Sequence, residues 1–152
     1  MTSDTGMSGP GVFPSKYDDP HADETTQPFW TAALKGQLTA PKCISCGTVV
    51  LPPRPRCFNC QSASFAYTDL PGTGTIYSFT IVRHPLGPHL VDAVPYISAV
   101  VELDGTQGAG ARMILNVVNT DVDTVRIGDR VKVIFDRVSD TLAVPRAVPA
   151  TD

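Results

Sequence analysis

The four cysteines of this 152-residue chain all lie in one segment, CISCGTVVLPPRPRCFNC, which spans positions 43 to 60. They form two Cys-x-x-Cys pairs, Cys43 with Cys46 and Cys57 with Cys60. The two-residue spacing lets both thiolates of a pair face one centre, and the loop between the pairs can bring the second opposite the first. Four sulfurs can then surround a tetrahedral Zn²⁺ at about 2.3 Å. The pattern therefore predicts a zinc site with these four cysteines as ligands.

Other interpretations of the cysteines remain open, namely disulfide bonds, thioredoxin-like redox chemistry and rubredoxin-like iron. Structural disulfides are rare in the cytoplasm, where thiols are kept reduced. An all-thiolate tetrahedral site also suits iron, which we regard as the less favoured metal. Four protein ligands leave no coordination position for a substrate, so the expected role of the metal is structural.

We call the segment 43–60 the metal loop. The residues beside the cysteines are expected to influence its shape and its charge. Gly47, after Cys46, can adopt the positive φ that such a turn often needs. Gln61 holds the matching position after the second pair, so the second turn is expected to be less regular. Arg54 and Arg56 could offset the charge of the thiolates or contact an anionic partner, such as the phosphates of coenzyme A.

Composition and charge argue against several classes of function. A formal net charge of -3 gives no general attraction to nucleic acid or anionic lipid. No apolar run approaches the roughly 18 residues of a membrane span, and the N-terminus lacks the features of a signal peptide. We therefore expect a cytoplasmic protein without a membrane or nucleic-acid partner. No nucleophile elbow, metalloprotease helix, Walker loop or Rossmann glycine pattern is present, so catalysis by this chain alone is not expected.

The segment before the cysteines predicts an arm and a short helix. Residues 1–28 are polar and lack an apolar period, which is typical of a mobile arm. PFWTAALKGQL begins with Pro28, which suits a first helical turn, and reaches Gly36, which suits the position after a helix. Adjacent Phe29 and Trp30 predict either packing on the same domain or contact with a partner protein.

Alternating apolar positions predict a mainly β chain after the metal loop. GTGTIYSFTIV, YISAVVEL and ARMILNVVN each indicate a strand, a fourth is expected to reach Phe135, and a short fifth covers Thr141 to Val144. With a helical turn near residues 122–125, this order favours a five-stranded Greek-key barrel of the OB type. The expected organisation is an arm over 1–28, a helix and zinc ribbon over 29–68, the OB-fold barrel over 69–147 and a tail over 148–152.

Two connections in the barrel carry candidate binding features. VRHPLGPHLVDAVP places Arg83 and His84 between the first two strands, a connection that often borders the binding face of an OB fold. A plain surface loop is the alternative. The Gly-rich DGTQGAGAR lies between two strands and precedes no helix, which favours a hairpin loop over a phosphate-binding loop.

The order FW, CISCG, LPPRPRCFNC, GTGTIYSFTIV, PYISAVVELDG and RIGDRVKVIFD resembles a bacterial and archaeal family of rubredoxin-like zinc-ribbon plus OB-fold proteins. This domain-of-unknown-function family is associated with acyl-CoA enzymes. Its members resemble non-catalytic partners of thiolase-superfamily enzymes, including lipid-transfer-protein-type aldolases of steroid side-chain degradation, and some are fused to or stand beside MaoC-like enoyl-CoA hydratases. The resemblance covers about Phe29 to Arg146 and assigns the ligand roles to the same four cysteines.

The resemblance implies an accessory subunit that binds and stabilises a thiolase-like acyl-CoA enzyme, as a hetero-oligomer, and completes its CoA or acyl entrance. The expected contacts with the partner or with a CoA thioester are Phe29, Trp30, Arg54, Arg56, Arg83 and His84. Two other functions remain open, a nucleic-acid-binding zinc-ribbon and OB protein and a rubredoxin-like electron carrier. The few aromatic residues and the lack of a dense basic stripe count against the first, and the second would need iron.

Overall fold

The computed structural model describes residues 20–107 and 110–151. The first regular element in this part of the chain is the α-helix α1 (Gln27–Ala33). The carboxylate of Asp23 accepts hydrogen bonds from the backbone N–H groups of Thr25 and Thr26 at 3.0 and 2.9 Å, which fixes the turn before the helix. Residues 1–19 of the expected arm lie outside the described residues. The helix begins one residue before the expected start at Pro28.

Helix α1 buries one face against the rest of the molecule. Phe29 and Ala33, one helical turn apart, are its buried residues. The chain leaves the helix through Gly36, whose φ of +74° is the left-handed conformation that glycine adopts without a steric penalty. The helix itself ends at Ala33 with Leu34 as its C-cap, so Gly36 lies two residues beyond the cap and not directly after the helix as expected.

Strands β1 (Thr39–Cys43) and β2 (Phe65–Asp69) form a two-stranded antiparallel sheet that the sequence did not predict. Their register places Cys43 opposite Phe65. The long connection between the two strands contains the other three cysteines. This small sheet therefore holds both ends of the metal loop.

Five strands form a closed barrel: β3 (Thr73–Val82), β4 (Tyr96–Leu103), β5 (Arg112–Val117), β6 (Arg130–Arg137) and β7 (Ala143–Pro149). Their order around the barrel is β3-β4-β5-β7-β6, and β3 closes the barrel by pairing with β6. The strand β7 runs parallel to β5 and antiparallel to β6. This arrangement is consistent with the OB fold and confirms the expected mainly β class.

The end of the barrel differs from the expectation in two respects. The last strand begins at Ala143, two residues after the expected Thr141, and continues past the expected Val144 to Pro149, because its backbone pairs with β6 as far as Val131. Between β5 and β6, the expected helical turn is a hydrogen-bonded turn over residues 122–124, in which Thr124 N–H donates to the carbonyl of Asp121.

One apolar core runs through the barrel and continues under α1 and the small sheet. In β4 the alternate residues Ile97, Ala99, Val101 and Leu103 are all buried, as their spacing predicts. Phe29 of α1 and Ala40 of β1 belong to the same cluster. The metal loop is thus fixed to the barrel by shared packing. No helix within residues 20–107 and 110–151 is long and apolar enough to span a membrane.

Candidate metal centre and the adjoining groove

The four cysteine sulfurs converge on one point. All four Sγ atoms lie within 4.8 Å of one another. The Sγ atoms of Cys43 and Cys60 are 3.5 Å apart, and those of Cys46 and Cys57 are 3.6 Å apart. A tetrahedral metal with Zn–S bonds of about 2.3 Å requires sulfurs separated by about 3.8 Å. The four residues predicted as ligands therefore fit one tetrahedral metal ion.

The same distances exclude disulfide bonds in this arrangement. All four cysteines of the chain are among the described residues, and each is a free thiol. A disulfide joins its sulfurs at about 2.05 Å, far less than the separations of 3.5 and 3.6 Å. Metal binding is the chemistry that the geometry supports.

Two similar turns present the cysteines, and we call residues 43–48 and 57–62 the first and second knuckle. In the first knuckle Gly47 N–H donates to the carbonyl of Cys43 at 2.8 Å; in the second Gln61 N–H donates to that of Cys57 at 2.9 Å. Gly47 and Gln61 have φ values of +77° and +63°. The expected irregularity of the second knuckle is therefore wrong, since glutamine adopts the same left-handed conformation.

The electrostatics of the sulfurs favour a cation. Hydrogen bonding to the side chain of Thr48 lowers the pKa of Cys46 to about 6. At Cys60 the backbone amide of Ser62 stabilises the thiolate, but the neighbouring sulfur of Cys43 and burial outweigh it and raise the pKa to about 12. Because thiolates this close repel one another, a bound cation is what lets all four ionise together.

The two arginines of the metal loop lie at its surface. Arg54 and Arg56 are both exposed. The Arg56 guanidinium donates a hydrogen bond to the backbone carbonyl of Gln61 at 3.1 Å, which ties it to the second knuckle. The charge of Arg56 is therefore held at the second knuckle.

An apolar groove opens where helix, metal loop and barrel meet. Its volume is about 570 Å³, within the usual range of ligand and docking pockets. Its walls come from α1, the metal loop and the strands β4, β5 and β7, and they comprise Thr26, Phe29, Trp30, Leu51, Pro52, Pro53, Val100, Arg112, Met113, Ile114 and Pro145. Most of these side chains are apolar, so the groove suits an apolar surface of another molecule.

The two aromatic residues of α1 differ in their exposure. Phe29 is only 7% exposed, whereas Trp30 is only partly buried against the core. Their rings meet edge to face with centroids 5.1 Å apart. Phe29 thus packs against Trp30, which is the more exposed of the two aromatic side chains.

One charged residue lines the groove. Arg112 lies over the Tyr77 ring, 3.7 Å from its centroid, and forms an ion pair with Glu102 at 3.1 Å. The stacked ring and the carboxylate hold the guanidinium across the outer face of the barrel. This arrangement at the rim of the groove was not predicted, because Tyr77, Glu102 and Arg112 come from three different strands.

The other two predicted contact residues lie elsewhere. Arg83 and His84 follow β3, are both exposed, and are not among the groove residues. Arg83 forms an exposed ion pair with Asp123 at 2.8 Å. The structure therefore brings Phe29 and Trp30 to the groove but leaves Arg83 and His84 outside it.

Comparisons with known proteins agree with this architecture. The family model for the rubredoxin-like zinc ribbon domain of ChsH2 matches residues 30–66, and that for the C-terminal OB-fold domain of ChsH2 matches residues 67–136. The division between the two models falls within β2.

Curated relatives and solved structures are also similar to the chain. A DUF35 domain-containing scaffold protein of Methanothermobacter thermautotrophicus is 31% identical over 118 residues, which cover 77% of this chain and 85% of that protein. A probable enoyl-CoA hydratase alpha subunit of Thermomonospora curvata is 33% identical over 123 residues, covering 80% of this chain but only 37% of the longer relative.

A similar solved structure is described as the Ltp2-ChsH2(DUF35) aldolase. The matching chain is 30% identical to this one, with a TM-score of 0.75 over 87% of this chain and 99% of that chain. Together with the matches to both parts of the molecule, this similarity confirms the family that the order of motifs indicated. The chain belongs to the DUF35 family, in which a rubredoxin-like zinc ribbon is joined to a C-terminal OB-fold domain.

Proposed function

We propose that this protein is a non-catalytic accessory subunit that binds and stabilises a thiolase-superfamily acyl-CoA enzyme. The observation that carries the proposal is the similarity to one chain of a structure named as an Ltp2-ChsH2 aldolase. The similarity covers 99% of that chain. The name of the archaeal relative, a scaffold protein, supports the same role. The two similarities point to a function in assembly.

The metal centre supports a structural role for this chain. Four cysteine sulfurs close a tetrahedral shell, so a metal bound there would have no position for substrate. We propose Zn²⁺ as the ion, because four thiolates in this geometry suit it and it undergoes no redox chemistry. When bound, it would hold the two knuckles together. We place the protein in the cytoplasm, where the four thiols stay reduced.

We further propose that the apolar groove receives the partner enzyme. An apolar depression between packed elements stabilises a complex when a complementary apolar surface fills it. Trp30 gives one wall a large, rigid side chain, and Ile114 gives the opposite wall an aliphatic side chain that is 73% exposed. Arg112 adds a fixed positive charge at the rim. Arg54 and Arg56 remain candidates for contact with the CoA part of a substrate.

A lyase of the aldolase type, acting on the side chain of a steroid CoA thioester, is the partner that we favour. A second candidate, an enoyl-CoA hydratase, is favoured by the similarity to the hydratase alpha subunit, of which this chain spans 37%. In that case the chain would correspond to a segment that the relative carries within one longer polypeptide.

Co-expression tests the proposal. The chain would be produced with a thiolase-superfamily lyase from its own genome and, in parallel, with a MaoC-like hydratase. We expect a stable complex with the lyase on size-exclusion chromatography, retro-aldol cleavage of its acyl-CoA substrate by the complex, and no turnover by this chain alone. A complex with the hydratase only would favour the second candidate, and steady turnover by the isolated chain would overturn the accessory role.

Metal analysis tests the identity of the ion independently. Protein purified without added metal should contain one zinc per chain and lack the visible thiolate-to-iron absorption. Iron in the purified protein, with reversible reduction, would instead support the electron-carrier alternative.

A further inference from the structure

The metal centre has an approximate twofold symmetry in its side-chain hydrogen bonds. The third residue of each knuckle bonds to the sixth residue of the other: Ser45 Oγ donates to Ser62 Oγ at 3.0 Å, and Asn59 Nδ2 donates to Thr48 Oγ1 at 3.4 Å. The sulfur pairs follow the same relation, since the first cysteine of each knuckle lies beside the last cysteine of the other. We call these two cross-knuckle hydrogen bonds the clasp.

The clasp lies on the solvent side of the metal centre. Cys43 and Cys57 are buried in the small cluster with Val50, whereas Cys46 and Cys60 are exposed. Both clasp hydrogen bonds also lie at the exposed surface. An ion that leaves the site, or a chelator that reaches it, must therefore pass on the side of Cys46 and Cys60.

The two halves of the clasp differ in one contact. The Sγ of Cys46 donates to Thr48 Oγ1 at 3.2 Å. When Cys46 is an ionised metal ligand, the same contact lets the Thr48 hydroxyl donate to the sulfur while it accepts from Asn59. In the other half, Ser62 Oγ instead accepts the backbone N–H of Ser64 at 3.1 Å. Only in the Thr48 half does the hydroxyl that accepts the cross-knuckle hydrogen bond itself contact a ligand sulfur.

We propose that the metal exchanges through the Cys46 and Cys60 side and that the clasp keeps this side closed, with Thr48 as the main positioning residue. Release of the ion requires an exposed sulfur to leave and the knuckles to separate, and each clasp bond opposes that separation. Hydrogen bonds to metal-bound thiolates also hold the sulfur in its bonding orientation. The proposal concerns metal retention and does not depend on which partner enzyme is bound.

The rate of metal transfer to a chelator tests this inference. We would load the full chain with Zn²⁺, add excess of a chromophoric chelator and record the absorbance with time. Thr48→Val keeps the shape of the side chain and removes the hydroxyl, and it should increase the release rate by about 10-fold, as is usual for loss of an outer-shell partner. Thr48→Ser should restore slow release, and Thr120→Val, in a turn of the barrel, is the matched control.

Two further measurements separate positioning from general destabilisation. The Co²⁺-loaded Thr48→Val protein should show a shifted thiolate-to-cobalt absorption, whereas its barrel should unfold at the wild-type urea concentration. Ser45→Ala, which breaks the other clasp bond without touching a ligand sulfur, should accelerate release by a smaller factor. Wild-type release rates in both Thr48→Val and the double variant with Ser45→Ala would overturn the proposal, as would equal acceleration by Thr120→Val.

Discussion

Arg146 on β7 is unusual for a charged residue of a small barrel, because it is only 4% exposed. Its guanidinium donates to Asn116 Oδ1 at 2.6 Å, and its Nε lies 3.5 Å from Asp136 Oδ2. Burial lowers the pKa of Arg146, and the carboxylate of Asp136 opposes this effect. The charge is therefore held by partners on β5 and β6, and the network joins three strands.

Removing the negative charge of Asp136 should destabilise the fold, because the buried charge of Arg146 then lacks its ion-pair partner. Asp136→Asn leaves the guanidinium of Arg146 buried with less compensation, a change that typically lowers the free energy of unfolding by about 3 kcal/mol. Urea unfolding followed by circular dichroism measures the difference. The matched control is Asp123→Asn, which breaks the exposed pair with Arg83 and should cost less than about 1 kcal/mol. Equal losses in the two variants would contradict the argument.

Cys57 tests the dependence of the metal loop on its ion. Its side chain is fully buried beside Cys43 and Val50, so loss of one sulfur removes both a ligand and a core contact. Cys57→Ser should lose most of the bound metal and make the loop accessible to proteases, because metal binding also stabilises the folded loop. Metal content and limited proteolysis measure the two effects.

Phe58→Ser is the control for this variant, since Phe58 lies in the same knuckle but is 60% exposed and binds no metal. It should retain both metal and protease resistance. Full zinc content and unchanged resistance in Cys57→Ser would show that three sulfurs suffice.

At the residue scale, the sequence predicted what depends on local spacing. The cysteine ligands and the left-handed Gly47 follow from positions a few residues apart in the chain. Arg146 could not be predicted in the same way, because Asp136 and Asn116 are its neighbours only after β5, β6 and β7 have paired. The available signal was that Arg146 is the single polar residue in the apolar run AVPRAVP.

At the scale of elements, the closure between β3 and β6 is the shortest antiparallel pairing of the barrel, with three residue pairs. Asp104, just after β4, stabilises this pairing of β3 with β6. Its carboxylate accepts hydrogen bonds from Thr73 on β3 and from Arg130 on β6, with an Nη1 to Oδ1 distance of 3.0 Å. One side chain thus links the two strands that close the barrel.

The Asp104 link should make barrel stability depend on pH. Hydrogen bonds from Arg130, and then from Thr73, lower the pKa of Asp104 below its ordinary value of 3.8. A lowered pKa in the folded state stabilises the protein above the ordinary value, and this contribution disappears as the pH falls through the lowered pKa. Asp104→Asn should therefore reduce the melting temperature at pH 7 and lose its effect in strong acid.

Melting temperatures of the wild type and of Asp104→Asn, measured between pH 7 and pH 2, test whether the stabilisation by Asp104 decreases as the pH falls. The control Asp140→Asn, in the exposed turn between β6 and β7, should not reproduce the pH-dependent difference. If the gap between wild type and Asp104→Asn were constant across that range, the charged hydrogen bonds would not be its source.

The elements that the sequence predicted are those with a regular apolar period. Strand β4 has the expected limits, and its buried face is the expected one. Strand β1 was missed because Pro41 stands in the middle of five residues, a pattern that argues against a strand. Its backbone is satisfied by distant groups, such as the N–H of Val50 in the metal loop, which no local pattern reveals.

At the scale of the whole molecule, the groove exists because three elements share one core. Phe29 from α1 and Ala40 from β1 are buried with the barrel residues, which fixes the metal loop beside the outer faces of β4 and β5. The groove residues extend from Thr26 to Pro145 in the sequence. The sequence indicated a contact role for Trp30. It could not show the groove wall that the strands form, because Val100, Arg112 and Ile114 alternate with core positions on β4 and β5.

Docking at this groove is tested best at Ile114. Trp30 packs on the core and also lines the groove, so Trp30→Ala should reduce both stability and partner affinity and cannot separate the two. Ile114 is 73% exposed, so Ile114→Asp should leave the melting temperature nearly unchanged. Burying the new carboxylate in an apolar interface should weaken the complex at least about 10-fold, a loss of about 1.4 kcal/mol.

Ile127→Asp provides the matched control, because Ile127 is 68% exposed in a turn and is not part of the groove. Titration calorimetry with the partner lyase, beside thermal melts of the free chain, gives affinity and stability for each variant. If Ile114→Asp bound the partner with full affinity, the groove would not be the docking surface. Equal weakening by both substitutions would indicate a general effect of added negative charge, which higher salt should reduce at an exposed site.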